Sequence, residues 1–353
     1  MDESINGIQQ IGIGVHDTKT VFNWYREHLG FDILLFKDEA TASLMTKYTL
    51  GEPQRRDAYL SLNMLGGGGL EIWQFKDRVA QGPEHEILWG DLGINAMKVR
   101  TVDINKSHSQ ISDLKLSGIT NITKSSYGEL YFYFNDPWNN RVQMVQDSYA
   151  FGSSKTGVGG VLGAVIGVSD MDTSTLFYKN FLGYTDVVCD EEIVLSANTA
   201  NTIKERFRKV VIRHSRKEIG GFAELLGPTQ IELVQALDRQ PKKIYKNRLW
   251  GDLGYIHICF DVQGMDSLRK KAKAMNNPFT VDSAQSFDMG DAAGHFSYVE
   301  DPDGTLIELV ETHKVPIIKK LGLYLSLKNR KANKPLPKWL VKTLRFHRIT
   351  KNL

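Results

Sequence analysis

The sequence predicts an α+β fold made of four successive units, each a strand, a helix and three further strands. Three observations predict it. LWGDLG occurs twice, at Leu88–Gly93 and Leu249–Gly254, and at the same offset of 161 residues LEIWQF (Leu70–Phe75) stands opposite IELVQA (Ile231–Ala236). FNWYREHLGF (Phe22–Phe31) matches TLFYKNFLGY (Thr175–Tyr184) at an offset of 153, so the second copy holds about eight extra residues between these markers. Within each copy the pattern doubles again, because IQQIGIGVHD, GINAMKVRTVD, VLGAVIGVSD and YIHICFDVQGMD all alternate apolar with small or polar residues.

Taken in order, each alternating segment is a strand with one buried and one open face. In the first, Gln10, Gly12 and Gly14 share the open face, while Ile11, Ile13 and Val15 share the face a helix covers. A helix candidate follows each strand. The first and third helices end in LGF and LGY, where Gly30 and Gly183 suit the left-handed residue that closes a helix. GLEIWQF, NRVQMVQ, TQIELVQ and TLIELVE are the final strands of the four units. The repeat divides the chain into a first domain, 1–150 (units 8–76 and 93–147), a second, 151–312 (units 161–237 and 254–312), and an extension, 313–353. A ferredoxin-like α+β repeat shares this pattern. LWGDLG precedes a first strand in each half and reads as a lead-in turn, with Trp89 and Trp250 packed on the sheet. GGGG at Gly66–Gly69 lacks the Lys-Ser/Thr of a phosphate loop and reads as a flexible hairpin.

Composition narrows the function classes. With 353 residues, 41% hydrophobic content and 10 prolines, this is a folded chain long enough for about two domains. It shows no run of about 18 apolar residues and its start lacks a basic-then-apolar signal, so a cytoplasmic protein is expected. Cys189 and Cys259 are too few for a disulfide framework or a thiolate metal site and read as small core residues. The tail is strongly basic: no Asp or Glu follows Glu311, while 12 Lys and Arg do, so a whole-chain net of +3 leaves the body at −9. Trp339, Leu340, Leu344 and Phe346 interleave with the tail lysines at roughly helical spacing. They predict a helical element docked on the body, with contact to an anionic membrane surface as the alternative. No nucleic-acid module accompanies the charge, and a small molecule is the expected partner.

The FYxxxLGF helix endings, together with DPWNNRVQMV (Asp136–Val145) and DPDGTLIELV (Asp301–Val310), resemble the vicinal oxygen chelate superfamily, which includes glyoxalase I, methylmalonyl-CoA epimerase, extradiol dioxygenases and bleomycin-resistance proteins. The resemblance covers all four units and leaves only the tail outside. It implies four βαβββ modules forming two open cups, with metal ligands in the first and last strand of each module. Carried onto this chain, the first-strand places are Gln10, Ala96, Gly163 and His257, and the last-strand places are Glu71, Gln143, Glu232 and Glu308.

An imidazole with carboxylates suits Zn, Ni, Fe, Co or Mn. A divalent ion bound to vicinal oxygens acidifies the adjacent C–H, and a nearby carboxylate can then shuttle the proton. The resemblance therefore implies an isomerase, epimerase or lyase working through an enediolate. Ring-cleaving dioxygenase and metal-free binder are the alternatives. Gly163 stands where extradiol enzymes carry a histidine, and Gly14 where glyoxalase I carries an arginine for glutathione. Lys98 and Arg100 on the second module's open face read as a solvated basic edge, and His295 and Asp291 as loop surface residues beside a pocket.

Which modules share a cup decides the site. Neighbour pairing would give one cup Gln10, Glu71 and Gln143 and the other Glu232, His257 and Glu308. Pairing the first module with the fourth, as in fused two-domain glyoxalases, would collect Gln10, Glu71, His257 and Glu308, a set similar to that of glyoxalase I. This interleaved arrangement is the expectation, with Glu308 and Glu71 as proton-shuttling residues.

Overall fold

The computed structural model describes residues 3–196, 204–214, 220–283, 287–288, 293–318, 323–327 and 334–353. Module one holds β1 (Ser4–Gly14), α1 (Thr18–Leu29), β2 (Ile33–Thr41), β3 (Arg55–Leu62) and β4 (Gly69–Phe75). Module two holds β5 (Gly93–Thr101), α2 (Ile104–Asp113), β6 (Thr123–Lys124), β7 (Leu130–Asn135) and β8 (Arg141–Gln146). The third holds β9 (Val158–Gly167), α3 (Met171–Leu182), β10 (Asp186–Ser196), β11 (Lys204–Arg213), the short α4 (Ala223–Leu226) and β12 (Gln230–Ala236). The fourth holds β13 (Gly254–Gln263), α5 (Met265–Ala274), β14 (Val281–Asp282), β15 (Phe287–Asp288), β16 (Ala293–Glu300) and β17 (Leu306–Ile318). The tail adds β18 (Leu323–Ser326), α6 (Lys338–Val341) and a 3-10 turn, Lys342–His347.

These strands form two curled sheets. One runs β14-β16-β17-β13-β1-β4-β3-β2, with β15 and β18 paired to β16 and β17; the other runs β10-β11-β12-β9-β5-β8-β7-β6. Strand β1 lies antiparallel to β13, and β5 antiparallel to β9. Module one therefore shares a sheet with module four, and module two with module three, in the interleaved arrangement. The sequence halves 1–150 and 151–312 are the units of the repeat, but each sheet takes one module from each half.

The repeated phrase holds this exchange. Asp252, in the second LWGDLG, accepts the backbone N–H of Leu249 (2.7 Å) and of Gln81 (2.6 Å) and pairs with Arg78 from the first half. Reciprocally, Asp91 accepts from Leu88 N–H (2.9 Å) and Lys242 N–H (2.9 Å) and pairs with Arg239 of the second half (2.6 Å). Every partner in one set stands 161 residues from its counterpart in the other. Both carboxylates are buried. Trp250 packs against Trp73 (ring centroids 4.6 Å apart) and Trp89 against Tyr133 (5.5 Å), so the phrase is the lead-in turn expected and also the clasp between the halves.

Between the sheets lies one core of α1 and α3 side chains, including Phe22, Tyr25, Phe177 and Tyr178, packed on Ile11, Ile13, Ile166 and Phe260. Asp17 and Asp170 cap the two helices by accepting from Thr20 N–H (2.8 Å) and Thr173 N–H (2.7 Å), and Gly30 (φ 74°) and Gly183 (φ 76°) close them in the left-handed conformation. The motif tyrosines reach the DP turns of the next module: Tyr25 donates to Asp136 (2.7 Å) and Tyr178 to Asp301 (3.1 Å). One sequence expectation fails at the glycine run. Gly67 and Gly68 donate to Leu225 O and Val161 O (both 2.8 Å), which makes the run a buried seam to module three and not a flexible hairpin.

The tail is docked, but only part of it is helical. Strand β17 continues into it and β18 pairs back on β17. Residues 338–347 then bury Val341 and Leu344, with Leu336, against Ile33, Leu62 and Leu225. Trp339 does not belong to the buried stripe; it is 70% exposed. No described helix is long and apolar enough to cross a membrane.

The clasp makes a specific prediction. Asp252→Ala strips Arg78 and two backbone N–H groups of their acceptor, and is expected to lower the unfolding free energy by about 3 kcal/mol. A urea-denaturation loss under about 1 kcal/mol would show the exchange to be held elsewhere.

Candidate metal centre

Each residue of the expected ligand set sits on a different strand of one cup: Gln10 on β1, Glu71 on β4, His257 on β13 and Glu308 on β17. All four are buried. Register brings them together, since Gly12 is opposite both His257 and Glu71, and Glu308 is opposite Cys259. A Cβ on Gly12 would lie 2.4 Å from the His257 ring, so only glycine there lets the imidazole lie across β1. The Nε2 of His257 is 3.1 Å from Glu308 Oε2 and 3.3 Å from Glu71 Oε2. Gln10 Nε2 donates to those same oxygens, at 3.2 Å to Glu71 and 3.4 Å to Glu308. One donor atom from each of Glu71, His257 and Glu308 falls within 4.8 Å of the others.

The fit to a cation rests on unsatisfied atoms. Gln10 Oε1 and His257 Nε2 are buried without a hydrogen bond; the imidazole touches its carboxylates as a charge, off the hydrogen-bond line. Buried polar atoms of this kind are costly unless something takes them up. An amide oxygen, an imidazole nitrogen and two carboxylates are the donors a borderline divalent ion accepts. The Nδ1 of His257 faces Tyr298 Oη at 3.4 Å, an outer partner that orients the ring so that Nε2 points inward. Burial alone would push the imidazole pKa down, but Glu308 and then Glu71 overcome it and raise it from 6.5 to about 9. Without metal, the cationic ring lies against both carboxylates.

Above the cluster lies a cavity of about 350 Å³. Its walls are mostly apolar, with Phe36, Met45, Trp73, Trp250 and Phe296 prominent. Three polar residues of this wall escaped the sequence reading. A register shift between Ile8 and Gln10 turns Gln9 as well as Gln10 toward the cavity, a bulge that strict alternation does not foresee. Arg56 reaches the wall from β3, bonded to Asp38 Oδ2 (2.7 Å) and stacked over Trp73. Asp261 accepts from Asn6 Nδ2 (2.9 Å), and its burial pushes its pKa up to about 7. As it stands four residues after His257 on the same strand, period two would have found it.

The other cup is closed. Ala96 packs in an apolar cluster with Trp89, Val165, Phe207 and Val234. Gly163 cannot be a ligand place, since a Cβ there would lie 1.8 Å from the Gln230 carbonyl oxygen. Lys98, opposite Gly163, extends its side chain to Glu232 at 2.6 Å. Gln143 donates to Tyr133 Oη (2.8 Å). Lys98 and Arg100 are therefore not a solvated basic edge; both are buried, Arg100 donating to Leu226 O (3.0 Å) and pairing with Asp147. His295 is likewise buried, on β16 and bonded to Asp282 Oδ1 (2.6 Å), while Asp291 lies outside the described residues. Cys259 is buried, but Cys189 is only half-buried and is no core residue.

Curled sheets of paired βαβββ modules, with a Gln, Glu, His, Glu cluster on the floor of one cup, have the architecture that the resemblance to the vicinal oxygen chelate superfamily implies. Residues 7–144 match the family model described as the Glyoxalase/Bleomycin resistance protein/Dioxygenase superfamily. Among solved structures, a candidate dioxygenase from Bacillus subtilis superposes with a TM-score of 0.55 at 13% identity, covering 87% of this chain and 86% of its own. Glyoxalase I from Zea mays superposes with a TM-score of 0.52 at 13% identity, covering 88% of this chain and 92% of its own. At such identities the likeness bears on fold alone. A search of curated protein sequences finds no match to the chain.

Two outcomes are expected. Lys98→Ala leaves the Glu232 carboxylate buried and unpaired and should cost about 3–5 kcal/mol in chemical denaturation, with Lys98→Met/Glu232→Leu recovering most of it. In the metal-free protein the protonated form of His257 contributes stability in full below about pH 6.5, and this is lost as pH rises through about 9. An incoming ion must displace that proton. Calorimetric titration of chelator-treated protein with Zn²⁺ in buffers of different ionisation enthalpy should therefore show about one proton released per ion between these pH values. Uptake with no proton release would contradict the assignment.

Proposed function

We propose that the protein is a metal-dependent isomerase, epimerase or lyase acting through an enediolate on a small oxygenated carbon compound. The observation that carries this reading is the meeting of Gln10, Glu71, His257 and Glu308 at the floor of an apolar cavity. Those four would hold one divalent ion. Such an ion, bound to two vicinal substrate oxygens, supplies the Lewis acidity that loosens the adjacent C–H and stabilises the enediolate.

The chain's own residues do the rest. Glu308 and Glu71 both line the cavity, so either carboxylate can accept a proton from carbon at its Oε atoms and return it to a neighbouring carbon or to the opposite face. Trp73, Trp250 and Phe296 exclude water and hold the substrate's apolar part. Ring cleavage is the less supported reading, since the cluster holds a single imidazole, His257, where the two-histidine, one-carboxylate set of non-haem iron oxygenases needs two.

The test is metal analysis of the purified protein joined to solvent-deuterium exchange into α-hydroxycarbonyl compounds, followed by NMR. We expect one divalent ion per chain, lost in His257→Ala. Glu308→Gln should slow exchange by at least about 10²-fold. A protein that takes up no metal, and whose ligand binding is indifferent to chelator, would instead be a binder of the bleomycin-resistance type.

A further inference from the structure

The tail has a second face that docking leaves uncovered. Along residues 338–347, Val341 and Leu344 point into the body, while Trp339 and Phe346 are 70% and 62% exposed. They are the only tryptophan and phenylalanine among the large hydrophobic side chains exposed in the described residues. Lys334, Lys338, Lys342, Arg345 and Lys351 are exposed in the same stretch. Spacings of three and four residues place Trp339, Lys342 and Phe346 along one side of the helical run, opposite the docked side.

Charge decides what this face meets. No acidic residue follows Glu311, and the 12 Lys and Arg after it stand against a body of net charge −9. An anionic surface thus attracts the tail and repels the body, and only the tail face can make first contact. An indole and a phenyl ring set among lysines and arginines is the composition of a membrane-interface anchor, where aromatic rings enter the headgroup layer and cations pair with lipid phosphates.

We propose that residues 338–351 form a docking surface for an anionic phospholipid bilayer, with Trp339 and Phe346 as the inserted side chains. This surface is separate from the metal centre and does not depend on its chemistry. The same helical run joins the two, for Leu344 lines the cavity on its inner side. Adsorption therefore brings that cavity wall close to the bilayer.

Full-length protein, mixed with vesicles of equal parts phosphatidylcholine and phosphatidylglycerol or of phosphatidylcholine alone, tests this by co-sedimentation. Binding is expected to the mixed vesicles only and should weaken with salt. Because each cation near such a surface strengthens binding about fivefold, Lys342→Glu/Arg345→Glu should weaken it by well over tenfold. Trp339→Ala/Phe346→Ala should weaken it without changing the melting temperature, as neither side chain is buried. In the parent, tryptophan emission should shift to the blue on adsorption; Trp339→Phe should lose the shift and keep the binding. Failure to bind mixed vesicles, binding indifferent to the charge reversal, or equally tight salt-sensitive binding to polyuridylate with none to vesicles would each overturn the proposal.

Discussion

The reciprocal clasp between Asp252 and Arg78, and between Asp91 and Arg239, is the constraint on which the arrangement depends. A duplicated chain can pair its modules with their neighbours or exchange them, and the sheets would satisfy their backbone in either case. In this chain the joint crosses the halves. Each buried carboxylate has its partner in the opposite half, so the two ion pairs tie the halves together. The tyrosine contacts to Asp136 and Asp301 act within each half and fix the helices to the next module's turn. Together they put β1 beside β13 and create the cluster.

Electrostatics explain why the two cups diverge. Two buried carboxylates must be neutralised from within. In the first cup the charge is met by His257, whose proton a divalent ion can replace. In the second, one carboxylate remains, and Lys98, opposite Gly163, reaches it with its ammonium group. The lysine puts a cation where the first cup gathers donor atoms.

Much of this was legible in the sequence because it rests on periodicity. Four alternating strands, the glycine-closed helices and the LWGDLG repeat gave the modules, and the ligand places followed from the family resemblance. Their meeting could not be read from periodicity, since neighbour and exchanged pairing place the same residues on the same faces. The misreadings differ in cause. Lys98 and Arg100 are polar residues on an open face whose burial depends on partners from module three, and His295 sits on a strand, bonded to Asp282 of its own module, where the sequence suggested a loop. Gln9 escaped because a bulge breaks the period, and Trp339 was assigned to the docked stripe because helical spacing alone does not say which side a core will take.

The interleaving also imposes an order on synthesis. Gln10 and Glu308 stand 298 residues apart, whereas Lys98 and Glu232 are separated by 134. At about 5–20 residues per second, the second cup can close while the last module is still being made, and β1 waits tens of seconds for its partner strand. During that interval the open edge of β1 has no neighbour on the β13 side, and Glu71 lacks the histidine that would answer its charge. The sheet of modules two and three thus has the first chance to form, as a scaffold, and the Gln10–Glu308 cluster is completed across most of the chain's length. Lys98 lets that scaffold close with its buried carboxylate already paired.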